Sequence, residues 1–286
     1  MPNFPVTKND ILAAEHIFGP EVGSLEGKTT CRNPHAVKQV VEPLPPEIMN
    51  QYWHVMLCAD IMYMNGIAFL VTISRHIRFA TVEALPNRQQ ASISAGFRIT
   101  QALMDGEFEP LRGDLAAIGV ALNTTAQDEH VGDIEHFIQT IKERMRATYN
   151  TLPYHNMPPR LVIEMAKHAV FWLNAFPHAN GIAGNQSPQA IITGVQLDYN
   201  RHCCYQFGEY VQTHKEHDNT MAHRTVGALA LHPTGNAQGS FYFLVCLQAK
   251  SFQFFSLSTG QFLSRNHATA LPMPDNVIAQ VHQIAS

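Results

Sequence analysis

Residues 57–74 read LCADIMYMNGIAFLVTIS, and the way this stretch folds decides the rest of the chain. Two apolar runs meet at Asn65-Gly66, a pair suited to a tight type I′ hairpin because both central positions need positive φ. The stretch therefore predicts two antiparallel strands. Extended back to Tyr52 and forward through IRFATVEAL (77–85), it becomes a three-strand meander with Ser74-Arg75-His76 at the second turn. Asp60 sits inside the first run, VMLCADIM, where a buried carboxylate without a partner would be costly.

Working outward, a fourth strand, FRITQALM (97–104), follows the brief connection PNRQQASISAG (86–96) and runs into MDGEFE, Met104 to Glu109. A short helix (Pro110 to Ile118), a short strand (Gly119 to Asn123) and the polar loop TTAQDEHVG (124–132) are expected next. In DIEHFIQTIKERMRATYN (133–150), Ile134, Phe137, Ile138, Ile141, Met145 and Tyr149 recur at spacings of three and four, which predicts a helix with one buried stripe. Glu135, Gln139, Lys142 and Arg146 share a polar face of it. A second helix, RLVIEMAKHAVFWLNAF (160–176), is apolar around most of its circumference and stops at Pro177.

The 286 residues leave room for one α/β domain and a smaller unit. Residues 1–50, rich in Pro, Gly and isolated charges, are expected to form an extended arm; 51–180 the core; 181–206 a linker; and 207–286 a small β-rich domain. With 45% hydrophobic and 15% charged residues, the composition is that of an ordinary globular protein. No apolar run approaches the roughly 18 residues that span a bilayer, and the first twenty residues lack the blocks of a signal peptide, so an intracellular protein is expected. A net charge of -4 means that any grip on nucleic acid must come from a local basic face. The five cysteines form no Cys-x2-Cys pair; His202-Cys203-Cys204 with His214 and His217 is the only cluster that suggests zinc, and its spacing is unusual. Neither GxxxxGK[ST] nor GxGxxG occurs, against an NTPase or a dinucleotide-binding enzyme.

Three acids stand at the edges of predicted elements: Asp60 in the first strand, Asp105 after the fourth, and Glu135 early in the helix. Each has an ordinary explanation too. Asp-Gly is a common turn dipeptide, and an acid in the first turn of a helix favours the helix dipole. Taken together, a meander, a crossover to a parallel strand and a helix bring such edges to one side of a sheet, where hard divalent cations would find oxygen ligands.

The succession LCADIMYMNGIAF, FRITQALMDGEFE, DEHVGDIEHFIQTIKERMR and FWLNAF followed by SPQAIITG resembles the integrase core of a copia-type (Ty1/copia) retrotransposon polyprotein. The resemblance implies a ribonuclease H-like α/β fold, a mixed sheet flanked by helices, and a D,D,E polynucleotidyl transferase that uses two Mg²⁺ or Mn²⁺ ions. It assigns Asp60, Asp105 and Glu135 as catalytic metal ligands and Gln139, Lys142, Arg144 and Arg146 as DNA contacts. It further implies DNA integration with element ends and target DNA as partners, a homo-oligomer, no membrane association and a nuclear site of action. FGEYVQTHKEH (207–217) and ALALHPTGNAQGSFYF (228–243) resemble the small β-domain that follows this core. Both intervals between the three acids are shorter than in the family, and no zinc-binding His and Cys pattern precedes the core. These departures carry a second expectation, a decayed copy that keeps the fold and at most binds nucleic acid.

Overall fold

The computed structural model describes residues 7–28, 46–85, 98–124, 132–214, 220–245, 253–254 and 268–286. Contacts divide the chain into two compact units. One comprises 38–152 and 157–198; the other comprises 1–37, 153–156 and 199–286.

The first unit is built on a five-stranded mixed sheet. Its strands are β1 (His54–Met64), β2 (Ile67–Ser74), β3 (Ala80–Ala84), β4 (Arg98–Met104) and β5 (Ala121–Thr124), in the order β3-β2-β1-β4-β5. β1, β2 and β3 pair antiparallel, whereas β4 runs parallel to β1 and β5 parallel to β4. The hairpin forms where Asn-Gly predicts it: Asn65 has φ 49° and Gly66 φ 76°. At the second turn Arg78 takes φ 65°, a left-handed conformation uncommon for a side-chain-bearing residue.

Asp105 opens a 3-10 helix over Gly106–Leu111, and helix α4 (Arg112–Ala117) continues from it. The single helix expected over Pro110 to Ile118 is thus split and begins earlier, because Asp105 supplies the cap and the chain tightens before Pro110. β5 starts two residues later than expected, after Gly119 turns at φ 79°. The predicted stripe of α5 (Gly132–Thr151) is buried at Ile134, Phe137, Ile138, Ile141 and Met145, and it packs over β1 and β2. α6 (Pro159–Ala175) lies against α5 and β3 and ends before Pro177 with Phe176 extended. In α7 (Pro188–Thr193), Ser187 caps the first turn and Gly194 closes the last at φ 70°. The result is a mixed sheet flanked by helices, with the ribonuclease H-like strand order.

The second unit contains another five-stranded sheet, antiparallel, in the order β10-β6-β7-β8-β9. Its strands are β6 (Tyr210–His214), β7 (Thr225–Pro233), β8 (Phe241–Val245), β9 (Gln253–Phe254) and β10 (Thr269–Ala270). Val211, Ala228, Ala230, Phe241, Phe243 and Val245 form its core. After a short helix α8 (Tyr199–His202), a closing helix, α9 (Asp275–Ala285), was not expected from the sequence; it buries Val277 and Val281, one helical turn apart.

Where an extended arm is expected over 1–50, the described residues form helices instead, α1 (Lys8–Phe18), α2 (Val22–Lys28) and the start of α3 (Pro46–Tyr52). Thr7 and Asp10 make a capping box that starts α1, and Pro46 occupies the first position of α3, where its fixed φ and missing N–H cost nothing. The connection 86–96, the loop between β5 and α5, and His217 lie outside the described residues.

Candidate metal and DNA site

Register brings the first two acids together. Ala59 and Met104 are the last paired residues of the parallel β1–β4 ladder, so the next residue on each strand is an aspartate: Asp60 and Asp105. Adjacent strands lie about 4.8 Å apart. Alternation sends Ala59, Ala102 and Met104 into the cluster beneath the 3-10 helix and α4, with Val120 and Leu122. Asp60 therefore belongs to the opposite face, with Cys58 and Met62, which is the face that α5 covers. Both aspartates are half-buried. Asp60 Oδ1 accepts the Ile61 N–H at 2.7 Å, and Asp105 Oδ1 accepts the Gly106 N–H at 2.6 Å. The 3-10 helix that Asp105 opens is tied to β5 by Arg112, which donates to the Leu122 carbonyl at 2.9 Å and pairs with Glu109; Thr124 donates to the same carboxylate at 3.2 Å. Arg112 keeps the Glu109 carboxyl below the usual carboxylate range.

Glu135 lies in the first turn of α5 and is exposed. Among the described residues, no three His, Cys, Asp or Glu side chains stand in a metal-holding group, so Asp60, Asp105 and Glu135 are not drawn into one shared set. Two half-buried carboxylates at one strand edge suit a hard cation as oxygen donors. Glu135 in its present position does not complete that donor set.

Gln139 is exposed and Lys142 half-buried, on the same flank of α5 as Glu135; Arg146 is exposed there too. Arg144 departs from the group: at about 100° per residue it falls on the other flank of the buried stripe. The four expected DNA contacts therefore do not form one continuous face.

Residues that sequence reasoning passed over occupy that other flank. Asp133 takes the Arg78 guanidinium at 3.0 Å and faces Arg75 Nε at 3.6 Å. Burial pushes the Cys58 thiol up, and Asp133 adds to this, while Arg75 and Arg78 pull it down. Burial, then Arg78, then His136 push the exposed His178 imidazole down. The signal was present in SRHIR (74–78), two arginines in five residues, but their partner is 55 residues beyond Arg78 along the chain. The zinc cluster finds no support among the described residues: Cys203 and Cys204 are exposed, and Cys204 Sγ donates to backbone carbonyls of Asn200 and Arg201. No helix among the described residues is long and apolar enough to cross a membrane.

No family model matches the chain, and no curated protein matches it. Among solved structures, the chain is similar to the catalytic core domain of BIV integrase in crystal form I, at 14% identity and a TM-score of 0.34, over 48% of this chain and 92% of that one. At this level the likeness adds nothing to the strand order, which carries the fold by itself.

Proposed function

We propose that the first unit is an integrase-like core that joins DNA ends to target DNA with two divalent ions, and that Asp60, Asp105 and Glu135 hold those ions. The observation that supports the reading is the register of β1 against β4, whose last paired residues, Ala59 and Met104, immediately precede Asp60 and Asp105. Bound Mg²⁺ or Mn²⁺ would supply charge neutralisation at a phosphodiester and a route to an activated oxygen nucleophile. The chain's own part is to hold the ligands and position DNA. Asp60 comes from β1, Asp105 from the cap of the 3-10 helix and Glu135 from the first turn of α5. Lys142, with Gln139 and Arg146 on the same flank, offers a short basic strip for phosphates on a chain whose net charge is otherwise negative. A copia-type origin and a nuclear setting belong to this proposal.

Incubation of the purified protein with Mn²⁺, a donor DNA end and a target duplex tests it. Joined products that disappear in Asp105→Asn support the reading, and no product with either metal sinks it.

A second reading is favoured by one observation, the exposed Glu135 outside any three-acid group among the described residues. In it the chain is a decayed copy that binds nucleic acid without cutting it. Salt-dependent DNA binding that survives removal of all three carboxylates, together with no joining, selects this reading, since phosphate contacts follow Lys and Arg.

A further inference from the structure

We propose that the end of α6 and the turn between β2 and β3 form a platform for single-stranded nucleic acid, with Phe176 stacking on a base and Arg75, backed by Arg78 and His178, holding the adjoining phosphates. The platform needs no metal and none of the three carboxylates.

The aromatic part lies along α6. His168, Trp172 and Phe176 recur every four residues, so successive rings are neighbours on one side of the helix. His168 stands edge-on to Trp172 with ring centroids 6.3 Å apart, and Trp172 stacks on Phe176 at 6.0 Å with 27° between the planes. Phe171 braces Trp172 edge-on at 5.3 Å. Phe176, the last ring of the series, is 50% exposed. A large ring held from behind and half in solvent offers a π-face, and every base has one to match it.

The cationic part comes from SRHIR (74–78). Ser74 and Phe79 close this turn: the Phe79 N–H donates to Ser74 Oγ at 2.9 Å and the Ser74 N–H to the Phe79 carbonyl at 2.9 Å. Two guanidiniums on the fixed loop share one carboxylate, Asp133, at 3.0 Å from Arg78 and 3.6 Å from Arg75, which leaves a positive charge over. Arg75 is the looser of the two. Its side chain is 48% exposed, and its separation from Asp133 is longer than a hydrogen bond, so it keeps donors for a phosphate. Arg78 Nε meets no acceptor among the described residues, so Asp133 does not saturate that guanidinium either.

His178 joins the two parts. It is exposed, and it stands near enough to Arg78 and His136 for both to hold its imidazole down. Its Nδ1 accepts the Asn180 N–H at 3.1 Å, so the neutral ring carries its proton on Nε2 and can still donate to a phosphate oxygen. Phe176 precedes it by two residues, which keeps the two Cα atoms within about 7 Å, a span that one strand can bridge. The platform is also separate from the aspartates. The Arg75 N–H donates to the Met56 carbonyl at 3.0 Å, four residues before Asp60 on β1, or about 13 Å along the strand.

Fluorescence anisotropy of a fluorescein-labelled oligothymidine, titrated with the full chain in EDTA over a range of salt, tests this. The same strand annealed to oligodeoxyadenosine serves as duplex, and a thermal midpoint is measured for every variant. The single strand is expected to bind in preference to the duplex. Phe176→Ala weakens strand binding by about tenfold, the worth of one stacked base, and Phe176→Tyr retains it. Arg75→Ala lowers the slope of log affinity against log salt by about 0.7, one phosphate contact on a single strand, and Arg75→Lys keeps the slope. No binding of the strand by the wild-type chain overturns the platform. Unchanged affinity in Phe176→Ala, or a duplex bound as tightly as the strand, also overturns it. If Phe176→Ala does not fold, the strand-over-duplex preference and the two Arg75 slopes decide. Because EDTA removes divalent ions, DNA joining through the carboxylates can fail while strand binding stands, and strand binding can fail while joining stands.

Discussion

The side chain of Asn174, near the end of α6, makes both of its amide hydrogen bonds to one residue of β3: Oδ1 accepts the Ala80 N–H at 2.9 Å and Nδ2 donates to the Ala80 carbonyl at 2.8 Å. β3 is the edge strand of the first sheet, and Ala80 is its first residue, so the Asn174 amide stands in for the neighbour that an edge lacks. Asn174 is 6% exposed, and truncating it leaves two buried backbone groups without partners. Asn174→Ala should destabilise the unit by about 2–6 kcal/mol, from about 1–3 kcal/mol for each of the two orphaned groups. Denaturant unfolding measures this; a change under about 0.5 kcal/mol, the range of an ordinary surface substitution, contradicts it.

His178 reports on the Arg78 cluster. Its imidazole is held below the ordinary histidine range by burial, by Arg78 and by His136. The folded state thus prefers the neutral ring, so any contribution to stability is present above the ordinary histidine range and fades as pH falls below it. Because the ring is exposed, its own titration is the better readout than stability. In Arg78→Gln the NMR titration midpoint of His178 should move upward. A midpoint that stays put or moves down contradicts the cluster.

Thiol chemistry separates the described cysteines. Cys58 is fully buried in β1 and its thiol is pushed up by burial and by Asp133, whereas Cys203 and Cys204 are exposed. Burial and the neighbouring Cys204 raise Cys203 as well, so thiolate at both buried and exposed sites grows only as pH rises. Alkylation of native protein at pH 7, read by peptide mass, should label Cys203 and Cys204 well ahead of Cys58, with rates that climb toward pH 9. Labelling of Cys58 at the rate of Cys203 in folded protein contradicts the burial of β1.

What the sequence made legible followed from local chemistry. Asn65-Gly66 set the hairpin, and hence the register that leaves Asp60 on one face and Ala59 on the other. The three-four spacing from Ile134 to Met145 gave α5 and its buried side. Short-range signals for the capping box at Thr7 and Asp10, and for Pro46 at a helix start, were also present, but Pro- and Gly-rich surroundings outweighed them. Pairings across long stretches of chain were not legible. Arg78 with Asp133 and Asn174 with Ala80 are distant in sequence, and no periodicity points from one to the other. Spacing alone suggested that Asp60, Asp105 and Glu135 converge; only the strand register addresses the first two, and the third depends on where a helix flank faces.

The account stands most directly on the two aspartates at the end of the β1–β4 ladder. A crystal structure of the protein grown with Mn²⁺, with anomalous scattering recorded at the manganese edge, tests it in one measurement. The account predicts an anomalous peak between the Asp60 and Asp105 carboxylates, with Glu135 turned toward it and metal–oxygen distances of about 2.0–2.6 Å, as for hard divalent cations. An anomalous map empty at that edge, with manganese bound elsewhere or nowhere, would contradict it.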